Sequence, residues 1–463
     1  MTESAPQKGG LYAALRFTGI PPSWLEKRPK LPSRNWLIFI GVVGSLATLY
    51  VDDRRKCKQI REEYISKVRH LAEEPLGNAE WGRKVKVYSC RYPEDQDHER
   101  TMKYFKKYVK PIFVAAAIDF DIINGNHYGA LTNKIVDDIK KRRREMAGLE
   151  KSHDELLQQV QPLRGDRAPA ARQKRELEGG TVIIGRHTLK EYMEGLRRGW
   201  SESMMPRDVE EEFAQTLSDE PFADQTIQAQ DGELPSPSSF NTSSPLSPPS
   251  NVLNTNQKVS VFGQLQRQQP SKPIPVTALD VPPASIPPQP AFGLIPYTSH
   301  LGFKQVPYMI YDFFTERYRV RSGAEAAFNV VMGQKRPFRN RESEGYPSDL
   351  DFDKQSEQYI KTSWRKLPKR IEDAKKEYYK ELPAKVKVAR ELAYGEREPT
   401  RSEKANPPAT EVELRSQRLK KELKWKEDLE GWQVLRDDVH WDDRFEGVLE
   451  VYMAPDLQNY TQI

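Results

Sequence analysis

Hydrophobic positions change their spacing along this chain, and each change predicts an element. Near the start, sixteen consecutive residues, Trp36 to Val51, carry no formal charge, bounded by Arg34 and by Asp52, Asp53, Arg54, Arg55 and Lys56. As a helix this run reaches about 24 Å at ~1.5 Å per residue, slightly short of a hydrocarbon core of about 30 Å. Every face of it is apolar or small, whereas a buried core helix usually keeps one polar face. Trp36 and Tyr50 suit the two interfaces. The run predicts a transmembrane helix over 36–51. Ser45 and Ala47 form the small-x-small pair that can end a secretory signal, but the run starts late and continues past them, so a retained signal-anchor is expected. Gly41, Ser45 and Thr48 share one helix face, as small residues at helix–helix contacts do; small residues simply facing lipid are the alternative.

Ile60, Tyr64, Val68 and Leu71 then recur at helical spacing and predict an amphipathic linker helix over 52–75, closed by Pro75. From Arg83 the period falls to two. RKVKVYSC, with Val85 and Val87 on one face, predicts a strand. Met102, Phe105, Val109, Ile112, Phe113 and Ala116 mark a helix from about Asp97 to Ala117, broken near Pro111. IDFDII (118–123) predicts a second strand ending in the turn signal Asn124-Gly125, and Leu131, Ile135, Val136, Ile139 and Met146 the next helix. TVIIG (181–185) has the continuous apolar character of a buried parallel strand. Thr188 and Glu191 predict a capping box for a helix carrying Leu189, Tyr192, Met193 and Leu196. Three strand–helix units over 83–207 argue for an α/β fold with a parallel sheet and right-handed crossovers.

Composition changes the picture at three places. Residues 1–35 hold five prolines and no long periodic run, and read as an extended arm. Asp208 to Gln257 holds nine Asp or Glu and no Lys or Arg. With its Pro-rich continuation it predicts an acidic, flexible insertion over 208–290, too poor in apolar residues to offset its chain entropy. Structure is expected to resume near Phe292, in a mixed α+β C-terminal part over 291–463. There, charged helices are expected at about 353–381 and 410–429, and a strand at 448–453. Aromatics crowd Tyr297 to Phe328. They suit ordinary core or, more sharply, a partner-facing or membrane-facing surface, for which Tyr308, Tyr311, Phe313 and Phe314 are the candidates.

Charge and motif searches exclude more than they identify. The net charge is +6 on 140 charged side chains, so no strong global field is implied. Lys140 to Arg144 (KKRRR) reads as a solvated helix end. Two cysteines, Cys57 and Cys90, are too few for a disulfide framework or a cysteine-rich zinc site. The turn after the first strand, SCRYPEDQD, lacks the glycines of a dinucleotide fold, and no P-loop occurs. Gly185-Arg186-His187, before a helix N-terminus, is the remaining anion-site candidate; turn geometry and capping explain it as well. The histidines lack metal-ligand spacing, and there is no G-x-S-x-G elbow. Asp349, Asp351 and Asp353 alternate as in an EF-hand loop, but Lys354 and Ile360 occupy positions that need Gly and Glu, so a solvated surface is expected. No catalytic, cofactor or metal site is expected. Lysines and arginines flank the apolar run almost equally, so charge does not orient it.

Three blocks carry a resemblance: GIPPSWLEKRPKLPSRNW (19–36) leading through the apolar run into YVDDRRK, YVKPIFVAAAIDFDIINGNHYGAL (108–131) and GGTVIIGRHTLKEYMEGL (179–196). Weaker similarity runs through IPPQPAFGLIPY (286–297), EAAFNVV (325–331) and the C-terminal tryptophan region. Together they resemble the fungal fifty-four-kilodalton subunit of the mitochondrial inner-membrane carrier translocase. The resemblance implies a non-enzymatic subunit, single-pass in the mitochondrial inner membrane, with its N-terminus in the matrix and its large domain in the intermembrane space. It implies as partners the other translocase subunits, the small intermembrane-space chaperones and multi-pass carrier precursors, alongside inner-membrane lipid and without nucleic acid. The alternative class is a membrane-anchored nucleotide- or lipid-binding α/β enzyme.

Overall fold

The computed structural model describes residues 33–75, 82–149, 169–205, 209–217, 222, 281–341, 346–360 and 362–454. Nearly all of the expected N-terminal arm and most of the expected insertion lie outside these residues. The apolar run and the linker form one unbroken helix, α1 (Arg34–Glu73). No Pro or Gly occurs between Gly44 and Pro75, so nothing interrupts its hydrogen-bond ladder where the membrane run ends. Its residues are exposed through Leu49, after which Asp53, Cys57, Ile60 and Val68 are buried against the domain.

The domain is built on six strands: β1 (Lys84–Cys90), β2 (Asp119–Gly125), β3 (Thr181–Ile184), β4 (Phe292–Ile295), β5 (Lys335–Pro337) and β6 (Glu450–Tyr452). Their order is β2-β1-β3-β4-β6-β5, parallel throughout except for β5 against β6. The helices after α1 include α2 (Arg100–Tyr108), α3 (Lys110–Ala115), α4 (Ala130–Met146), α5 (Pro169–Gly179), α6 (Arg186–Ser201), α7 (Val306–Phe314), α8 (Glu316–Met332), α9 (Leu367–Ala393) and α10 (Glu411–Arg436).

Strand alternation sorts the core into two layers. Val85, Val87, Val182 and Ile184 point to the side packed by α1, α2, α3 and α8, with Phe105, Phe113, Val320 and Ala327. Tyr88, Cys90 and Ile183 point to the side packed by α4 and α6, with Leu131, Ile135, Leu189 and Trp200. The result is an α/β sandwich with helices on both faces of a mostly parallel sheet, preceded by one apolar helix. Pro111 separates α2 from α3 as expected, entering the first turn of α3, where its missing N–H is not needed.

Several expectations are corrected. Asn124 and Gly125 are the last residues of β2, paired with Ser89 and Cys90, rather than a turn. The helix expected from Asp353 begins instead at Leu367, after 3-10 turns over Lys354–Tyr359 and Trp364–Lys366. The expected insertion is interrupted by a helix, Val209–Thr216, and by Phe222, which is buried against Tyr378, Leu382 and Leu414 while its carbonyl accepts from Arg390 at 2.6 Å. Its far edge also recedes, because Ile286 and Gln289 are already buried. Lys140 to Arg144 is not a free helix end: Lys140 pairs with Glu202, Arg142 with Glu176, and buried Arg143 donates to the Gly199 and Glu202 carbonyls.

Candidate functional site at the membrane junction

The periodic stripe of α1 extends two turns further back than Ile60, where the apolar residues begin it. Positions 53, 57, 60, 64, 68 and 71 fall on one face, and the first two are Asp53 and Cys57. Asp53 is fully buried although it stands two residues beyond Val51. Its carboxylate accepts the backbone N–H of Glu316 at 3.1 Å and of Arg317 at 3.4 Å, the first turn of α8. Thr315, the residue before α8, makes no side-chain cap of its own; its Oγ1 turns away and donates to the Tyr311 carbonyl at 2.7 Å. A carboxylate from another helix therefore caps α8 and complements its dipole.

Glu316 completes the junction. Its carboxylate pairs with Arg54 and Lys107 and accepts the Tyr108 hydroxyl at 2.6 Å. Burial, together with Arg54 and Arg61, draws the Lys107 ammonium below its usual range. Burial first, and Asp53 second, push the Cys57 thiol up. One acidic pair thus ties α1, α2 and α8 together at the point where the apolar run ends. Between α1 and α8 lies a cleft of about 360 Å³ lined by Lys56, Gln59, Ile60, Glu63, Arg317, Tyr318 and Arg321.

Along the span, Trp36 and Val51 are exposed, and Trp36 meets Phe39 edge-on. Gly41 has open space around it, while Ser45 and Thr48 donate to the carbonyls of Gly41 and Ser45 at 2.8 Å each. The helix itself satisfies both hydroxyls. The aromatic candidates gather in α7. Tyr308, Tyr311 and Phe313 are about half exposed, and no residue of α7 is buried. Phe313 stacks on Tyr50 of α1 with centroids 5.1 Å apart, and Phe314 meets Phe313 edge-on. Tyr308 instead stacks on His300. Tyr297, from the same stretch, is core.

The anion-site candidate is already filled by the protein. Arg186 is buried, with Nε donating to Glu357 at 2.6 Å and Nη1 to the carbonyls of Leu350 and Phe352. Lys190 shares Glu357 at 2.6 Å. Burial lowers His187 to about 3, leaving its ring neutral. In the aspartate series Asp351, paired with Lys354 at 2.9 Å, stays solvated as expected, but its two neighbours do not. Asp349 holds Arg336 through two hydrogen bonds and accepts the Arg339 N–H, whereas Asp353 accepts the Tyr297 N–H and burial raises it to about 6. Among the described residues no group of three or more His, Cys, Asp or Glu is placed to hold a metal ion.

The expected capping box is also reassigned. Helix α6 starts at Arg186, so Thr188 and Glu191 lie inside it. Thr188 accepts the Cys90 N–H at 3.3 Å, and Glu191 accepts the N–H groups of Gly129 and Leu131 at 3.1 and 3.2 Å, capping α4. Asp53 and Glu191 were both missed as cross-helix caps. The stripe on α1 was a legible signal for Asp53; for Glu191 there was none.

Comparison with known proteins places this architecture. The family profile described as "Inner membrane protein import complex subunit Tim54" matches residues 13–394. A relative from Cryptococcus neoformans, named mitochondrial import inner membrane translocase subunit TIM54, is 37% identical over 463 residues, 96% of this chain and 95% of that protein. A protein of the same name from Aspergillus oryzae is 29% identical over 347 residues, 70% of this chain and 71% of its own length. One from Schizosaccharomyces pombe is 34% identical over 182 residues, 39% of this chain and 49% of that protein. An apolar helix welded to an α/β domain, matched over most of its length, belongs to the Tim54 family of inner-membrane protein import complex subunits.

Proposed function

We propose that this chain is a non-catalytic scaffold of the mitochondrial carrier translocase, holding the small chaperones that deliver multi-pass precursors. The N-terminal arm faces the matrix, and the α/β domain stands in the intermembrane space beside the other subunits. The observation that carries this reading is the rigid junction: a single membrane-length helix continues into the domain and is locked there by Asp53 and Glu316. A docking platform needs such a fixed height and orientation above the membrane. The occupied surroundings of Arg186 support a structural rather than a ligand-binding role for that loop.

Protease added to mitochondria with ruptured outer membranes should degrade the domain while the arm stays protected. Degradation only after the inner membrane is opened would overturn the orientation. Photo-crosslinkers on the exposed domain surface should capture small chaperones or carrier precursors. Capture of neither, with the complex intact on native gels, would overturn the docking role while leaving complex membership standing.

A further inference from the structure

Helix α7 does not fit the domain that carries it. Its sequence, VPYMIYDFF, contains one charged residue, yet none of its side chains is buried. Tyr308, Met309, Ile310, Tyr311 and Phe313 are each about half exposed, and Phe303 in the preceding turn is 92% exposed. Asp312 faces the protein, paired with Arg319 at 2.5 Å and His300 at 3.1 Å. A helix apolar on its outer faces is covered by something.

Its position says what covers it. Phe313 stacks on Tyr50, the next-to-last residue of the apolar run, and Arg54 donates to the Phe313 carbonyl at 3.3 Å. The exposed face of α7 is thus continuous with the lipid-facing surface of the span, at the level where aromatic side chains favour the interface. The flanking groups are cationic. Arg55 and Lys304 are exposed, and Lys56, Arg317 and Arg321 outnumber Glu63 in the adjoining cleft. The span itself reaches only about 24 Å, short of a core of about 30 Å. Apolar surface added beside its end offsets that mismatch.

We infer that α7 is an interfacial helix, lying in the headgroup region of the bilayer beside the span, with Arg55 and Lys304 on anionic lipid headgroups. This assignment rests on α1 crossing the membrane and not on the docking role. It gives Tyr308, Tyr311 and Phe313 to lipid rather than to a protein partner.

The test uses the full chain reconstituted alone into vesicles of phosphatidylcholine, with or without phosphatidylglycerol. Cys57 and Cys90 are buried, so Ile310→Cys can carry an environment-sensitive fluorophore, with Met309→Cys as a second site and exposed Val412→Cys as the aqueous control. The 310 and 309 probes should be blue-shifted and quenched by lipids spin-labelled near the headgroup, more strongly in anionic vesicles; the 412 probe should be neither. Combining Arg55→Gln with Lys304→Gln should abolish the difference between the two vesicle types. Probes at 309 and 310 that stay aqueous in both vesicles would overturn the inference. So would photo-crosslinking of position 311 in mitochondria to protein without lipid. A vesicle difference that survives the double substitution would overturn the headgroup role of Arg55 and Lys304.

Discussion

The Asp53 carboxylate of α1 accepts the backbone N–H of Glu316 at 3.1 Å, joining residues 263 positions apart where the apolar run ends. The consequence is mechanical. Because the cap of α8 sits on the membrane helix, neither can reorient without exposing unsatisfied N–H groups.

Asp53→Ala should therefore destabilise the full chain in detergent by about 2–3 kcal/mol, through a lost cap and buried donors left without a partner. Asp53→Asn, which keeps one acceptor, should cost less. Cys57 offers an independent readout. Its thiol should react faster with maleimide in Asp53→Ala, because one cause of its raised pKa is gone. An unchanged unfolding midpoint together with unchanged Cys57 reactivity would contradict the cap.

Two buried groups on α6 set the pH profile in opposite directions. Burial raises Glu191 to about 7 from an ordinary 4.5. Its contribution is full below the unfolded value and is lost as pH rises towards 7. His187, lowered to about 3 from 6.5, contributes fully above 6.5 and loses that contribution as pH falls. Glu191→Gln should thus gain on the parent chain between pH 5 and 8, each pKa unit being worth about 1.4 kcal/mol. His187→Gln should flatten the acid limb. Denaturant midpoints across that range measure both, and parallel profiles for parent and variants would refute the assignment.

Gly431 brings α10 against the N-terminus of α4, where an added Cβ would lie 2.1 Å from the Tyr128 carbonyl carbon and 2.4 Å from the Gly129 nitrogen. Backbone cannot yield as a side-chain end can. Gly431→Ala should cost about 3 kcal/mol or more, at or beyond the usual range for overpacking. Gly41→Ala in the span meets nothing within 4 Å and should leave the fold unaffected. Equal unfolding midpoints for the two variants would show that the approach is looser than described.

The enzyme alternative has a direct test. A nucleotide-binding domain should gain about 2.7 kcal/mol at a hundredfold excess of ligand over its dissociation constant. We expect no thermal shift of the full chain with ATP or NAD, because the guanidinium of Arg186 is committed to Glu357, Leu350 and Phe352. A reproducible shift would reopen the alternative. Arg186→Ala should instead destabilise the chain by about 1–3 kcal/mol, because the Leu350 and Phe352 carbonyls lose their donor while Glu357 keeps Lys190.

Local pattern by itself determined the elements that depend on neighbouring residues: the apolar run, the period-two strand at Val85 and Val87, the break at Pro111 and the buried strand at Val182. Hydrophobic spacing and the lack of an N–H in proline act within a few residues, so they can be read along the chain. The resemblance blocks carried the family for the same reason, since they are runs of contiguous residues. Only the tertiary structure decided which polar groups are buried and whom they serve. Asp53, Glu191, Arg186 and Asp349 read as flank, cap, anion site and solvated surface, yet each is spent on a partner on another element. Phe222, set in an acidic stretch, is buried because α9 and α10 offer it an apolar seat. Burial of a polar side chain depends on what the fold brings within about 3 Å of it, and that proximity has no local signature in sequence.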